Sequence, residues 1–243
     1  MLEIKNLTAL RSGKEVLRGA KLTLGEHGIV ALIGKNGCGK STLCDCINGT
    51  LPFGGEILFD GESLLRIRAK ERAKLLSFLP QRIPCPHITV SELTSFGRSP
   101  YRSFFADDKS GCGIIARTME MLGIAELSER FLDELSGGEL RRAYLAMTLA
   151  RETPYIILDE PCAHMDAAFT HSFMQSLIRI KKEKSLLIVM HDINAAVRYA
   201  DRIAILDDGE IVFSGDAGAS YEAIENVFGM KKYIAGESVF FAP

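Results

Sequence analysis

Apolar residues follow strand patterns in two separate parts of the chain, and the part between them has helical spacing. Alternating or continuous apolar runs predict strands at 2–8, 16–24, 28–34, 56–61, 155–159, 186–192 and 203–213. An Asp-Gly pair at 208–209 predicts a hairpin within the last run. Helical patterns dominate from Pro80 to about Ala150, and one of these helices opens with a capping box of Thr89 and Glu92.

Helical segments also separate the later strands, and this alternation indicates an α/β sheet with parallel strands. We therefore predict one α/β domain, residues 1–243, whose core is interrupted by a helical insertion. The core would comprise residues 1–81 and 149–243, and the helical subdomain about residues 82–148.

Composition sets limits on the partners of the chain. Hydrophobic residues make up 47% and charged residues 25%, and a net charge of −2 gives no global attraction to nucleic acid. No apolar run reaches the ~18 residues of a membrane span, and the first ten residues do not resemble a signal peptide. The six cysteines form no Cys-x-x-Cys pair, so we expect neither a zinc site nor a disulfide framework, and a reducing cytoplasm fits best.

The segment LSGGELRR at 135–142 precedes a helix with two glycines in its first turn. Ser136 and Glu139 form a capping box. Gly137 and Gly138 remain unexplained by it, because glycine costs about 1 kcal/mol relative to alanine inside a helix. The pair indicates that something approaches this helix end closely.

The strongest motif is a phosphate-binding P-loop. It consists of Gly34, Lys35, Asn36, Gly37, Cys38, Gly39, Lys40 and Ser41, followed by Thr42. The motif follows a strand and opens a helix, so its backbone N–H groups and the positive helix end would surround a phosphate. Lys40 would reach the β- and γ-phosphates and Ser41 would hold Mg²⁺. We predict that the protein binds a nucleoside triphosphate.

Two adjacent acids follow the buried strand at 155–159. Asp159 emerges at the carboxyl end of the strand and suits the magnesium shell, and Glu160 suits a general base that orients the attacking water. His191 ends another apolar strand just before Asp192, a predicted helix N-cap. A lone histidine at a strand end is more often structural, so only its place in the set favours a functional role.

The order of these pieces resembles the ATPase subunits of ABC transporters over nearly the whole chain. The series is P-loop, Gln81, LSGGE, ILDEP and His191. The resemblance implies a P-loop NTPase core, with a mixed sheet, an N-terminal antiparallel β-subdomain and a helical subdomain. It also implies an ATP-dependent head-to-tail dimer of two copies, in which ATP and Mg²⁺ lie between subunits. Ser136, Gly137, Gly138 and Glu139 would then contact the nucleotide of the partner, and Ser136 could also remain a cap.

Further roles follow from the resemblance by position. Gln81 resembles the glutamine that senses Mg²⁺ and the attacking water, His191 the histidine that contacts the γ-phosphate, and Asp166 the aspartate that couples the two sites. The chain departs from the family at three places. Residues 9–13 lack the usual aromatic residue that stacks on adenine, so we expect Arg11 to take that place. Cys162 replaces a threonine, and the segment 163–166 lacks its common serine.

The segment 88–101 resembles the importers of iron–siderophore, haem and cobalamin. In that group it receives the membrane subunit, which predicts permease contact at about residues 84–105, and indirect contact with a periplasmic or extracellular substrate-binding protein. The protein would then act at the cytoplasmic face of the cell membrane. Exposed aromatics often mark a partner surface, so Tyr101, Phe104 and Phe105 favour this reading. A surface helix followed by a proline turn is the alternative.

Three other functions can be compared with the importer. A soluble ABC ATPase could serve a non-membrane partner, such as an iron–sulfur assembly scaffold. The basic run at 66–74 could suggest nucleic acid, but its alanines and single acid fit one solvated helix face, so we expect no nucleic-acid partner. A non-catalytic regulatory role is weakened by the intact Lys40, Asp159, Glu160 and His191.

Overall fold

A sheet covered on both faces organises the fold. The structure is a computed structural model that describes residues 1–102, 108, 110–163, 165–236 and 238–243. Its strands are β1 (Leu2–Arg11), β2 (Lys14–Leu24), β3 (Gly28–Ile33), β4 (Gly54–Phe59), β5 (Glu62–Ser63), β6 (Leu76–Leu79), β7 (Tyr155–Asp159), β8 (Ser185–Val189), β9 (Arg202–Asp207), β10 (Glu210–Asp216), β11 (Lys231–Ala235) and β12 (Ser238–Ala242). Its helices are α1 (Lys40–Asn48), α2 (Ala69–Leu75), α3 (Val90–Phe96), α4 (Gly111–Met121), α5 (Gly137–Ala150), α6 (Ala167–Ile180), α7 (Ile193–Tyr199) and α8 (Tyr221–Phe228). Within the described ranges, no helix has both the length and the hydropathy of a membrane span.

The main sheet is mixed, with six strands in the order β10-β9-β3-β8-β7-β6. Strands β9, β3, β8, β7 and β6 run parallel, and β10 returns antiparallel to β9. Asp208 and Gly209 make this turn with positive φ angles of 44° and 84°, as the Asp-Gly pair predicts. A second sheet, β2-β1-β4-β5, is antiparallel. The α/β fold predicted from the sequence is confirmed.

Side chains of the main sheet alternate between two hydrophobic clusters. In β3, Ile29, Ala31 and Ile33 join a cluster with α5, α6 and α7, whereas Val30 and Leu32 join one with α1 and the antiparallel sheet. Burial on both faces explains why the parallel strands read as continuous apolar runs. Polar residues are therefore concentrated where the strands end.

The predicted helical region contains α3, α4 and α5, with α3 and α4 packed against α5. Both capping boxes are present: Thr89 and Glu92 exchange hydrogen bonds at the start of α3, and Ser136 and Glu139 do so at the start of α5. The basic run lies largely on α2, none of whose residues is buried, so the prediction of a solvated helix is also confirmed.

Tyr101 is not an exposed contact residue, which corrects one sequence interpretation. Its hydroxyl donates to the carbonyl oxygen of Arg151 at 2.8 Å, and its ring lies under the buried Arg98 guanidinium. Arg98 also pairs with Asp108 and Glu152. The two other predicted aromatics, Phe104 and Phe105, lie outside the described residues. Among the described phenylalanines and tyrosines of this region, the exposed one is Phe96, at the end of α3.

The C-terminal elements were not predicted. Helix α8 has apolar residues at 221, 224, 227 and 228, a helical spacing that could have identified it. Strands β11 and β12 form a hairpin that packs on α7. Asn194 of α7 makes two hydrogen bonds with the backbone of Phe241. Its Nδ2 donates to the Phe241 carbonyl oxygen, and its Oδ1 accepts from the Phe241 N–H.

Candidate active site

The P-loop predicted at residues 34–42 joins β3 to α1. Gly39 caps α1 with φ at +113°, and in the described part of the chain no side chain covers the first N–H groups of this helix. These donors and the positive end of the helix suit an anion. Lys40 is buried, and its Nζ donates to the carbonyl oxygens of Gly34 at 2.8 Å and Lys35 at 3.0 Å. The loop thus folds around its own lysine.

Asp159 lies at the end of β7 with only 4% of its surface exposed. Its Oδ1 has no hydrogen-bond partner among the described residues. Burial raises the pKa of Asp159 and the charge of Glu160 adds to this, whereas a hydrogen bond with Ser41 and the charge of Lys40 lower it. Mg²⁺ prefers oxygen ligands and keeps several waters. An orphaned carboxylate oxygen beside a serine hydroxyl therefore fits the protein side of a magnesium site.

Glu160 brings together the three residues expected to be catalytic. The Nε2 atom of Gln81 donates to its Oε2, and Nε2 of His191 contacts its Oε1. Glu160 itself is buried, with 8% of its surface exposed, and its backbone has φ at +50°. Gln81 follows β6 and His191 follows β8, the strands on either side of β7. Because parallel strands end at one edge of the sheet, residues distant in sequence meet here.

A cavity of about 810 Å³ unites this cluster with the P-loop. Its walls include Lys40, Ser41, Gln81, Glu160 and His191. The volume lies within the range of about 300–1,000 Å³ that is usual for small-molecule sites. One opening therefore holds the phosphate loop with Ser41 and the candidate base Glu160 together.

Arg11 also lines this cavity, at the start of the P-loop helix. Its Nη1 lies 3.3 Å from Oδ2 of Asp45 and 3.4 Å from Oγ1 of Thr42, and about half of its side chain is exposed. The lining residues in the described ranges include no Phe, Tyr or Trp, and Val16 is one of the apolar ones. Stacking of Arg11 on adenine remains a prediction.

The four residues at the start of α5, here called the signature residues, lie apart from the cavity that holds the P-loop. None of Ser136, Gly137, Gly138 and Glu139 is among its described lining residues. Ser136 Oγ accepts from the Glu139 N–H at 3.3 Å and donates to its carboxylate at 2.7 Å. A Cβ on Gly138 would lie 3.1 Å from the Phe169 ring, whereas one on Gly137 would meet only Met165 at 3.7 Å. Packing within the chain thus accounts for Gly138 but leaves Gly137 unexplained.

The segment after Glu160 contains the two other places where the sequence departs from the family pattern, Cys162 and residues 163–166. Asp166 caps α6 by accepting the Phe169 N–H at 2.7 Å, and His164 lies outside the described residues. Cys162 lines the cavity, and burial raises the pKa of its thiol to about 12, although a hydrogen bond with Thr170 opposes the shift. The thiol is therefore neutral at physiological pH.

Sequence reasoning missed one residue of this site, Arg141 in the second turn of α5. It contacts the backbone on both sides of the Glu160 cluster. A signal was available, because Arg141 stands three, four and seven residues before Tyr144, Leu145 and Thr148, all buried. A charged residue on the buried face of a helix requires specific partners.

The chain is similar to a known protein family and to individual members of it. The family model described as "ABC transporter" matches residues 17–163, more than half of the chain. The chain is 34% identical over 249 residues to the "Ferric enterobactin transport ATP-binding protein FepC" of Escherichia coli (strain K12). That alignment covers 93% of this chain and 92% of the relative.

Solved structures give the same result. A metal-chelate type ABC transporter in an inward-facing conformation superimposes with a TM-score of 0.83 at 25% identity, covering 100% of this chain and 96% of the other. The dimeric ATP-binding cassette MJ0796, in a post-hydrolysis state bound to ADP and Pi, gives a TM-score of 0.79 at 25% identity. That superposition covers 89% of this chain and 99% of the other.

Asp159→Asn tests the candidate magnesium ligand. It should raise the unfolding midpoint of the nucleotide-free protein by roughly 2–4 °C, equivalent to about 1 kcal/mol, because a buried carboxylate with an orphaned oxygen loses its charge. It should also remove the extra thermal stabilisation that Mg²⁺ adds to a non-hydrolysable ATP analogue. Thermal unfolding with Mg²⁺ or EDTA measures both effects. Asp216→Asn, at an exposed site, is the control; an unchanged magnesium effect in Asp159→Asn would contradict the assignment.

Proposed function

The chain belongs to the ABC transporter family as an ATP-binding, ATP-hydrolysing subunit, and on that premise we propose that it drives import of a metal chelate. The substrate class is the iron–siderophore, haem or cobalamin type. The observation that carries the proposal is the meeting of Gln81, Glu160 and His191 in the cavity of the P-loop. The kinship with a ferric enterobactin transport protein and with a metal-chelate type transporter supports the substrate class. The soluble alternative, an iron–sulfur assembly partner, is not favoured.

Nucleotide binding is assigned to the P-loop. Lys40 and the N–H groups at the start of α1 would bind the β- and γ-phosphates of ATP. Ser41, Asp159 and Gln81 would hold Mg²⁺, and the bound ion would neutralise charge on the phosphate oxygens. The orphaned Oδ1 of Asp159 supports this ligand set.

Hydrolysis is assigned to the cluster around Glu160. A carboxylate offers about four acceptor positions, and Gln81 and His191 use one on each oxygen, so positions remain for the attacking water. Glu160 would take the proton of that water as general base. Gln81 and His191 would fix the carboxylate, and His191 would contact the γ-phosphate.

A second copy of the chain would complete the site. The signature residues lie apart from the P-loop cavity of their own chain, and Gly137 faces open space beyond Met165. In a head-to-tail dimer, Ser136, Gly137, Gly138 and Glu139 would bind the γ-phosphate held by the partner. Asp166 would couple the two sites. The dimeric cassette MJ0796 with ADP and Pi supports this arrangement.

A membrane permease is the proposed partner of the helical subdomain, through residues 84–105. Among the described residues of that range, Phe96 has about half of its surface exposed. Gly97 and Arg98 serve internal packing instead, since a Cβ on Gly97 would lie 2.2 Å from the Met147 carbonyl oxygen and Arg98 is buried. The chain would act at the cytoplasmic face of the cell membrane, and would meet a substrate-binding protein only through the permease.

Glu160→Gln tests the base. We expect ATP binding to persist and turnover to fall by ~10²–10⁴, the usual contribution of a positioned general base. An ATP-bound dimer should accumulate, measured by size-exclusion chromatography alongside steady-state phosphate release. Glu210→Gln, an exposed carboxylate on β10, is the matched control. Turnover within a few-fold of wild type would remove Glu160 from the role of base.

Gly137→Asp tests binding across the dimer. The new side chain meets only Met165 within its own chain, and an acid suits the first turn of a helix, so the monomer should fold and bind ATP. Against the γ-phosphate of a partner, its charge would repel in a poorly solvated site, so dimerisation and hydrolysis should fail. Gly113→Asp, in the open first turn of α4, should retain both. Equal loss of monomer binding and hydrolysis would show that the assignment across the dimer is wrong.

Phe96→Ser tests the permease surface. A tagged chain, captured from detergent-solubilised membranes of its own organism, should retain a polytopic membrane protein that mass spectrometry identifies. Loss of Phe96 should reduce that capture about tenfold or more, because burying such a ring contributes roughly 1.5–3 kcal/mol. Val212→Ser, at a similarly exposed apolar residue of β10, is the control. Capture of a soluble scaffold in place of a membrane protein would favour the alternative function.

A further inference from the structure

Arg141 is a buried cation without an ion pair. Only 4% of its surface is exposed, and no carboxylate of the described residues forms a salt bridge with it. Burial lowers the pKa of its guanidinium, while the charges of Cys162, Asp159 and Glu160 oppose that shift. Arginine nevertheless remains charged in proteins. Such a group must find strong acceptors, and these acceptors indicate its task.

The guanidinium satisfies its donors with four backbone carbonyl oxygens. Nε donates to Pro161 at 3.0 Å and Nη2 to Glu160 at 2.9 Å. Nη1 donates to Pro80 at 3.2 Å and to Gln81 at 3.0 Å. All four oxygens belong to the two short segments that leave the neighbouring strands β6 and β7. The planar fork therefore fixes the distance between these segments.

These contacts close a ring of hydrogen bonds around the catalytic groups. Arg141 holds the backbone of Gln81, the side chain of Gln81 holds the carboxylate of Glu160, and the backbone of Glu160 returns to Arg141. Glu160 has φ at +50°, a left-handed conformation that is strained for a residue with a side chain. The hydrogen bond from Arg141 to the carbonyl oxygen of Glu160 opposes relaxation of that backbone strain. It thereby also opposes rotation of the Glu160 carboxylate.

The position of Arg141 also links this ring of hydrogen bonds to the first turn of α5, which contains the signature residues and is here called the signature turn. It lies four residues after Gly137 on α5, about 6 Å along the helix axis. Over that distance a helix moves as a rigid unit. A shift of the helix end at Gly137 therefore carries the guanidinium with it.

We propose that Arg141 is a positioning residue for ATP hydrolysis. It holds Gln81 and Glu160 at a fixed distance from each other, and it couples their positions to the signature turn of the same chain. The proposal rests on the proposed function, since it presumes that Glu160 acts as base. Nucleotide bound by the partner against Gly137 would thereby influence hydrolysis in the subunit that carries Arg141.

The test compares Arg141→Met, Arg141→Gln and Arg141→Lys with wild type in phosphate release, in ATP-analogue binding and in thermal unfolding. Arg141→Met should lower kcat by about 10–100-fold and leave the Kd of the monomer for the analogue within about threefold. Arg141→Gln and Arg141→Lys keep two or three N–H donors, so they should recover part of kcat. In a Glu160→Gln background, Arg141→Met should still form the ATP-bound dimer.

Arg98→Met provides the matched control, since Arg98 is equally buried and lies outside the cavity. It should lower the unfolding midpoint without a comparable loss of kcat, measured well below that midpoint. The proposal is wrong if Arg141→Met turns over like wild type, or if kcat in the three variants follows the unfolding midpoint alone. An active Glu160→Gln would instead overturn the proposed base, so the two failures are distinguishable.

Discussion

Two adjacent carboxyl groups at the end of β7 set the electrostatic constraint that the rest of the site satisfies. Asp159 and Glu160 are both buried, and burial together with the neighbouring charge of Glu160 raises the pKa of Asp159. Neighbouring groups stabilise the two carboxylates. Ser41 and the charge of Lys40 favour the ionised form of Asp159, and Gln81 donates a hydrogen bond to Glu160. One oxygen, Oδ1 of Asp159, finds no hydrogen-bond partner within the described parts of the chain. A divalent cation is the natural complement of that remaining charge.

The parallel sheet makes such a concentration of polar groups possible. Apart from Ser77, the interiors of its parallel strands are apolar, so charged residues lie at the strand ends. The order β3-β8-β7-β6 places the P-loop, His191, the two acids and Gln81 along one edge. The antiparallel sheet and α1 cover one face of this arrangement, and α5, α6 and α7 cover the other. The hydrophobic core thus supports the polar groups of the site from both sides, and four of its residues line the cavity: Met174, Val189, Met190 and Ala195.

Local signals predicted most of the fold, and contacts between distant residues limited the rest. The P-loop, both capping boxes and the Asp-Gly hairpin depend on residues within a few positions of one another, so a single sequence determines them. Tyr101 was misread because its environment is set by Arg98 and Arg151, and the latter is 50 residues away. Arg141 was missed for a similar reason, since its acceptors follow two strands that no local pattern brings together.

The two glycines that open α5 have different physical explanations. A Cβ on Gly138 would press against the Phe169 ring at 3.1 Å, so packing within one chain disfavours a side chain there. Gly137 meets no such contact, and its N–H belongs to the uncapped donors of a helix end. The absence of a side chain there gains nothing inside the chain and costs helix stability. The proposed nucleotide of a partner would explain Gly137, and one helical turn later Arg141 donates to the backbone of Glu160 in its own subunit. Helix α5 thus joins the exposed Gly137, the proposed contact of a second molecule, to Glu160, the proposed base.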